Sequence, residues 1–293
     1  MLSIRKLTLR NIKLYLRDKS AVFFSFLSVI ILISLYLLFL KNAYKHEVLE
    51  QVMNAKEIDF MVDSLILSGI MVINTITLSL GNLGSMIQDL ESHRINAFIV
   101  TPVKRYKLIL AYFASSFMIT LTFSLLMWVG ALALIYLTTG IMYPSDISIK
   151  ATGLVILYTF ISTAFMILLT TFIKSVNAFG AVSGVFGTLI GFTSGIYMPL
   201  SQFPDYIQKI SAWLPFTHMT IYLKQLLLKP SFDLIGQKIP REVMDMIQTV
   251  YATKSLPITG EVFDPVWVLL VSCIIGLFAL IWATFRMKHR IRS

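Results

Sequence analysis

The side chains with reactive chemistry to offer are few and scattered. The 293 residues include four histidines and a single cysteine. His46, His93, His218 and His289 lie far apart in the chain, and Cys273 sits inside an apolar run. A metal centre needs several His, Cys or carboxylate ligands brought together, and a hydrolase needs a nucleophile beside a base. Neither pattern is present in the sequence. Cys273 has no partner for a disulfide and reads as a small apolar residue against lipid or a neighbouring helix. None of the 14 glycines opens the Gly-x-x-x-x-Gly-Lys-[Ser/Thr] loop that cradles nucleotide phosphates. The expectation is therefore a chain without a catalytic residue, a metal or a cofactor of its own. If it moves anything uphill, the energy must come from another polypeptide.

What the sequence has instead is apolar length. It is 57% hydrophobic and 14% charged, with a mean hydropathy of +0.79. Soluble domains carry about 25% charged residues, so too little polar surface is present here to cover a globule. The predicted fold is all-α, a polytopic membrane protein forming one transmembrane domain over residues 1–293. Spans need roughly 20 mostly apolar residues. Six qualify: Ala21–Leu40, Asp63–Met86, Leu108–Thr138, Ala151–Ile173, Ala178–Tyr197 and Pro265–Phe285. The third is long enough to tilt or to extend past the lipid. The fourth and fifth form a tight hairpin around Lys174, Ser175, Val176 and Asn177.

Charge sets the orientation. With both termini on one side, segments 1–20, 87–107, 174–177 and 286–293 hold 15 Lys/Arg against Asp18, Asp89 and Glu91. The opposite side holds 10 Lys/Arg against 12 acids, which together account for the net charge of +10. Basic loops stay cytoplasmic, so both termini are expected in the cytoplasm of a cell that carries this protein in its plasma membrane. The basic excess is then a matter of topology and lipid contact, and no nucleic-acid partner is expected. The first forty residues imitate a signal peptide, but the apolar run is too long and Leu38-Phe39-Leu40-Lys41 offers no small-residue cleavage site. Within residues 1–20, Lys6, Arg10, Lys13 and Arg17 share one helical face. That pattern suits an interfacial amphipathic helix on the anionic leaflet, or a solvated basic lead-in.

The six cores contain no Asp, Glu, Lys, Arg or His, apart from Asp63 at a boundary. Ion-coupled transporters use ionisable groups at that depth. Proton coupling and buried catalysis are both disfavoured.

Three segments carry a family resemblance. Arg10-Asn-Ile-Lys-Leu-Tyr-Leu-Arg17-Asp18-Lys19 precedes the first span, and Leu90-Glu91-Ser92-His93-Arg94 leads to Phe98-Ile99-Val-Thr101-Pro102. Gly195-Ile-Tyr-Met-Pro199 leads through Phe203-Pro204-Asp205-Tyr206 to Trp213-Leu214-Pro215 after the fifth span. In this order they resemble the permeases of ABC type-2 exporters. Many members carry Gly then Thr where this chain has His93 and Arg94, and residues 229–264 extend the last outer loop beyond the usual. The resemblance implies two permease subunits, as a homo- or heterodimer, seated on cytoplasmic ATP-binding-cassette ATPases. ATP and magnesium would sit on that partner ATPase, and short cytoplasmic helices would transmit its closure.

Candidate residues follow from both readings. Segment 87–107 is the expected coupling element, with a three-turn helix over 89–100 that Pro102 stops. There Phe98 and Ile99 would dock in an ATPase groove, with Glu91 and Arg94 making polar contacts beside Thr101 and Pro102. An ordinary interfacial loop helix is the alternative. Gly180, Gly184, Gly187, Gly191 and Gly195 make a smooth strip on the fifth span, suited to a subunit contact, a cavity wall or static packing. Asn74, Thr77, Gly81 and Ser85 share one face of the second span, lining a path or bonding between helices. In the outer region 198–264, Phe203, Tyr206, Ile207, Ile210 and Trp213 share an apolar face bracketed by Pro204 and Pro215. With the short apolar stretch 216–228 this reads as a re-entrant helical pair, or as a plain surface helix. The expected function is export of a drug, antimicrobial peptide or lipid-like molecule. Glycan export and a non-transporting immunity or scaffold role are the alternatives.

Overall fold

Apolar length becomes helix throughout. The computed structural model describes residues 4–20, isolated positions between 22 and 34, and 53–95, 104–195, 200–251, 253–254 and 264–290. The expected first span, Ala21–Leu40, falls largely outside the described residues. Among those residues the elements are α1 (Ile4–Arg17), α2 (Ala55–Glu91), α3 (Arg105–Thr139), α4 (Ser145–Thr170) and α5 (Val176–Thr193). After a 3-10 turn at Leu200–Gln202 come α6 (Asp205–Ala212), α7 (Pro215–Ile235), α8 (Arg241–Val250) and α9 (Pro265–Arg290). Five of them, α2, α3, α4, α5 and α9, are long and apolar enough to cross a membrane.

The helix ends follow local chemistry. Glu57 reaches back to accept from the Asn54 backbone N–H at 3.0 Å, the acidic arm of a capping box that starts α2. Ser175 accepts from the Ala178 N–H at 3.2 Å, so the expected hairpin after α4 closes directly onto the first turn of α5. At the end of α3, Gly140 takes a φ of 75°, a conformation that side chains with a Cβ resist.

The centre of the bundle is α2. Its 37 residues span about 55 Å, well beyond the ~30 Å of a hydrocarbon core. It packs against α3, α4, α5 and α7, which enclose almost all of its apolar length. By contrast α3, α5 and α9 leave most of their apolar surface outward, which in a membrane is the lipid- or partner-facing side. Beyond the spans, Ile58, Met61, Leu65 and Ile66 of α2 pack with Leu228 and Ile235 of α7 and Ile247 of α8. This second core gives residues 229–250 their place, as a cap on one end of the central helix.

Two sequence expectations change. The short apolar stretch 216–228 is part of a 21-residue helix that runs through Lys229 and Pro230 to Ile235. Its extension is held by Leu228 and Ile235, both wholly buried in the cap. Nor does a helix run from 89 into the following segment. Asp89–Glu91 are instead the last residues of α2, and the chain turns at 92–95.

Candidate functional site

The end of α2 opposite the cap gathers four elements around two carboxylates. Asp89 is 3% exposed, because α1 and α3 close over the last turn of α2. Arg10 Nη1 on α1 donates to Asp89 Oδ2 at 2.7 Å. Tyr112 on α3 donates its hydroxyl to the same oxygen at 2.6 Å. Arg94 stands at 4.0 Å from Oδ1, its side chain largely in solvent. Burial would strand an isolated carboxylate, and the guanidinium and phenol supply the charge and hydrogen bonds that keep it.

Glu91 makes the second link. Its Oε2 accepts from the backbone N–H of Val176 at 3.1 Å, the first residue of α5. Carboxylates at a helix N-terminus satisfy an otherwise unpaired donor and meet the positive end of the helix dipole. Between them, the two acids connect α1, α2, α3 and α5. Such an arrangement ties the last turn of α2 to three other helices.

The turn leaving this site is set by His93, whose φ of 56° places a bulky residue in left-handed backbone. Ser92 Oγ and N–H both donate to Gln88 O, at 2.6 Å and 2.9 Å, and the Ile95 N–H returns to Asp89 O at 3.2 Å. Ile95 is thereby buried while Ser92, His93 and Arg94 are exposed. Glycine would take that φ without a steric cost, so His93 holds it against the preference of a side chain with a Cβ. Phe98, Ile99, Thr101 and Pro102 lie outside the described residues.

The sequence itself matches the ABC-2 type transporter family over residues 3–228, most of the chain and all of this junction. The chain belongs to that family. No curated protein matches it individually. Membership makes it a multi-pass permease subunit of the ABC class, a class that generally associates with an ABC ATPase.

Elsewhere in this ABC-2 permease the expected stripe on α2 divides. Asn74 is buried and donates to Ser124 Oγ on α3 at 3.0 Å. Thr77 is half-buried and turns its hydroxyl to Ile73 O, while Gly81 is exposed and Ser85 half-buried. The glycines of α5 divide in the same way. Gly180 and Gly184 face open space, Gly187 comes near the Thr77 methyl, and Gly191 is buried. The glycine most tightly met across the α2–α5 contact belongs to α2. A Cβ on Gly84 would stand 2.9 Å from the Phe179 ring.

In the α6–α7 pair, Pro204 precedes the first turn of α6 and Pro215 opens α7. Tyr206, Ile210 and Trp213 are exposed, Phe203 is half-buried and meets Phe192 edge-on at 6.4 Å. His218 Nε2 lies 2.7 Å from the Ala212 carbonyl, tying α7 to the end of α6.

One residue with no sequence signal stands out here. Lys224 on α7 is 4% exposed, outside the five candidate spans. It donates to Gly195 O at 3.1 Å and Tyr251 O at 3.4 Å, carbonyls just past the ends of α5 and α8. Thr217 adds a bond to Thr193 O at 3.0 Å. An ammonium suits the negative end of a helix dipole, yet burial pulls its pKa from 10.5 down to about 8.

Proposed function

We propose that this chain is the permease subunit of an ATP-driven exporter for amphipathic cargo, a drug, antimicrobial peptide or lipid-like molecule. Two such subunits pair in the plasma membrane, both termini of each facing the cytoplasm, and rest on ATPase subunits that hold ATP and magnesium. The observation that carries this reading is the junction of Asp89 and Glu91. It lies at the root of the 87–107 segment, where Phe98, Ile99, Thr101 and Pro102 would meet the ATPase beside Arg94. A push on this segment moves the Arg10, Tyr112 and Val176 contacts together, so α1, α3 and α5 respond as one. The interior bonds of α2 are neutral hydroxyl and amide contacts, which favours amphipathic cargo over phosphate-rich cargo. The outward apolar face of α6 supports a re-entrant pair at the lipid boundary, since Tyr and Trp favour that level.

The test is association. The wild-type chain should co-purify with an ABC ATPase and support ATP-dependent efflux. Phe98→Ala and Arg94→Glu should weaken both while leaving membrane insertion intact, with a loss of at least ~2 kcal/mol at a true anchor. Lys254→Glu, in an exposed pair with Asp245 at 3.3 Å, should change neither. If no ATPase associates with the wild-type chain, the exporter reading is wrong and an immunity or scaffold role replaces it.

A further inference from the structure

A groove of about 670 Å³ runs between the first turns of α3 and the last turns of α9. Lys104, Arg105 and Tyr106 form its mouth, and Leu280, Ile281 and Phe285 its wall. Tyr106, Ile281 and Phe285 are 44%, 51% and 60% exposed, so the described residues leave them open. Two boundaries coincide here. On α3 the last charge is Lys107 and the residues from Leu108 onward are uncharged; on α9 residues 265–285 are uncharged and Arg286 follows. The groove therefore straddles the line where hydrocarbon meets headgroups, with its apolar wall on one side and its basic mouth on the other. Residues 104–107 and 286–290 contain six Lys or Arg and no acid.

We propose that this groove binds an anionic phospholipid of the cytoplasmic leaflet, its phosphate at Lys104 and Arg105 and an acyl chain along Leu280 and Ile281. Charge complementarity selects the head, because basic side chains at a membrane surface attract anionic lipids. Depth selects the tail. Leu280 and Ile281 lie within the uncharged stretch of a span, where a soluble protein such as an ATPase does not reach. A lipid there bridges α3 and α9, the span entered from the coupling segment and the last span of the chain. The inference rests on the orientation proposed above, not on the cargo or the ATPase.

Native mass spectrometry of the full chain, released from nanodiscs holding equal phosphatidylglycerol and phosphatidylcholine, reads the binding. The wild type should retain phosphatidylglycerol preferentially. Lys104→Gln and Arg105→Gln should each lower that preference about fivefold, and Ile281→Asn should lower retention of long-chain lipid. Inorganic phosphate should not displace the lipid, since it lacks the chain. Equal retention of the two lipids, or an unchanged preference in the Lys104 and Arg105 variants, overturns the proposal. So does loss of self-association in those variants with lipid preference intact, which makes the groove an interface between copies. Orientation is read separately with single cysteines in a Cys273→Ser background. Asn54→Cys and Gln248→Cys should react with an impermeant thiol reagent outside intact cells and Ser92→Cys should not. Labelling at Ser92 would put the groove in the other leaflet.

Discussion

Replacing Asp89 with asparagine tests whether the ionic junction holds the N-terminal helix. The substitution keeps the shape and leaves an oxygen for Tyr112, but removes the charge that Arg10 meets at 2.7 Å. Breaking a fully buried ion pair costs about 3–5 kcal/mol. The Asp89 side chain is 4% exposed and that of Arg10 is 28% exposed, so water screens part of the loss. A cost of about 2 kcal/mol follows, borne by the docking of α1. Thr8 on α1 reports it, being 6% exposed with a hydroxyl that makes no hydrogen bond among the described residues. In a Thr8→Cys, Cys273→Ser background in nanodiscs, Asp89→Asn should speed maleimide labelling of Cys at that position about thirtyfold. Arg10→Met should do the same, and the double variant should be no faster than either single one. An unchanged labelling rate, or effects of the two substitutions that simply add, would refute the junction as the tether of α1.

Gly84→Ala should destabilise the purified chain by about 1–3 kcal/mol, because the new methyl meets the Phe179 ring at 2.9 Å. Adding Phe179→Leu should restore most of the loss; a neutral Gly84→Ala would mean that α5 does not pack there. Lys224 makes stability depend on alkaline pH. Its folded pKa is depressed to about 8 against the ordinary 10.5, so between these values the unfolded chain holds the proton that the folded chain releases. Stability then rises with pH across that window, by up to about 3 kcal/mol, and is level below pH 8, where both states hold the proton. The Tm of the wild type should rise relative to Lys224→Met from pH 8 toward 10.5, and parallel curves would contradict the burial of that ammonium.

How much of this was legible in the sequence depends on the distance over which each feature is decided. The hairpin after α4 and the prolines, Pro204 and Pro215, that bracket α6 are settled by residues a few positions apart. They appear in the structure as the residue types require. The end of α7 is different. The stretch 216–228 reads as short, yet the helix continues through Pro230, where the buried side chains of Leu228 and Ile235 outweigh the hydrogen bond that Pro230 removes. Asp89 looked like one acid in a basic loop, because its partner Arg10 is 79 positions away. Glu91, expected among the ATPase contacts, also accepts from the backbone of Val176, 85 positions on, a link that no local pattern announces. Lys224 carried no signal, since its acceptors are main-chain carbonyls and any residue type supplies those.

The energetic contrast between the middle and the end of α2 bears on how it can move. Along its middle, Thr75 meets Ser162 at 3.0 Å, Ser79 meets Thr163 at 2.8 Å and Asn82 meets Thr120 at 3.2 Å. Interhelical bonds of this kind average about 0.6 kcal/mol within membranes, partly because hydroxyls readily find other partners. Three of them together are worth about 2 kcal/mol, roughly the loss expected from the single charge at Asp89. Sliding α2 past α3 and α4 by a fraction of a turn therefore exchanges weak bonds one at a time. Pulling it away from Arg10 and Tyr112 breaks a charged contact outright. A displacement delivered at Asp89 and Glu91 is thus shared with α1, α3 and α5 at that end.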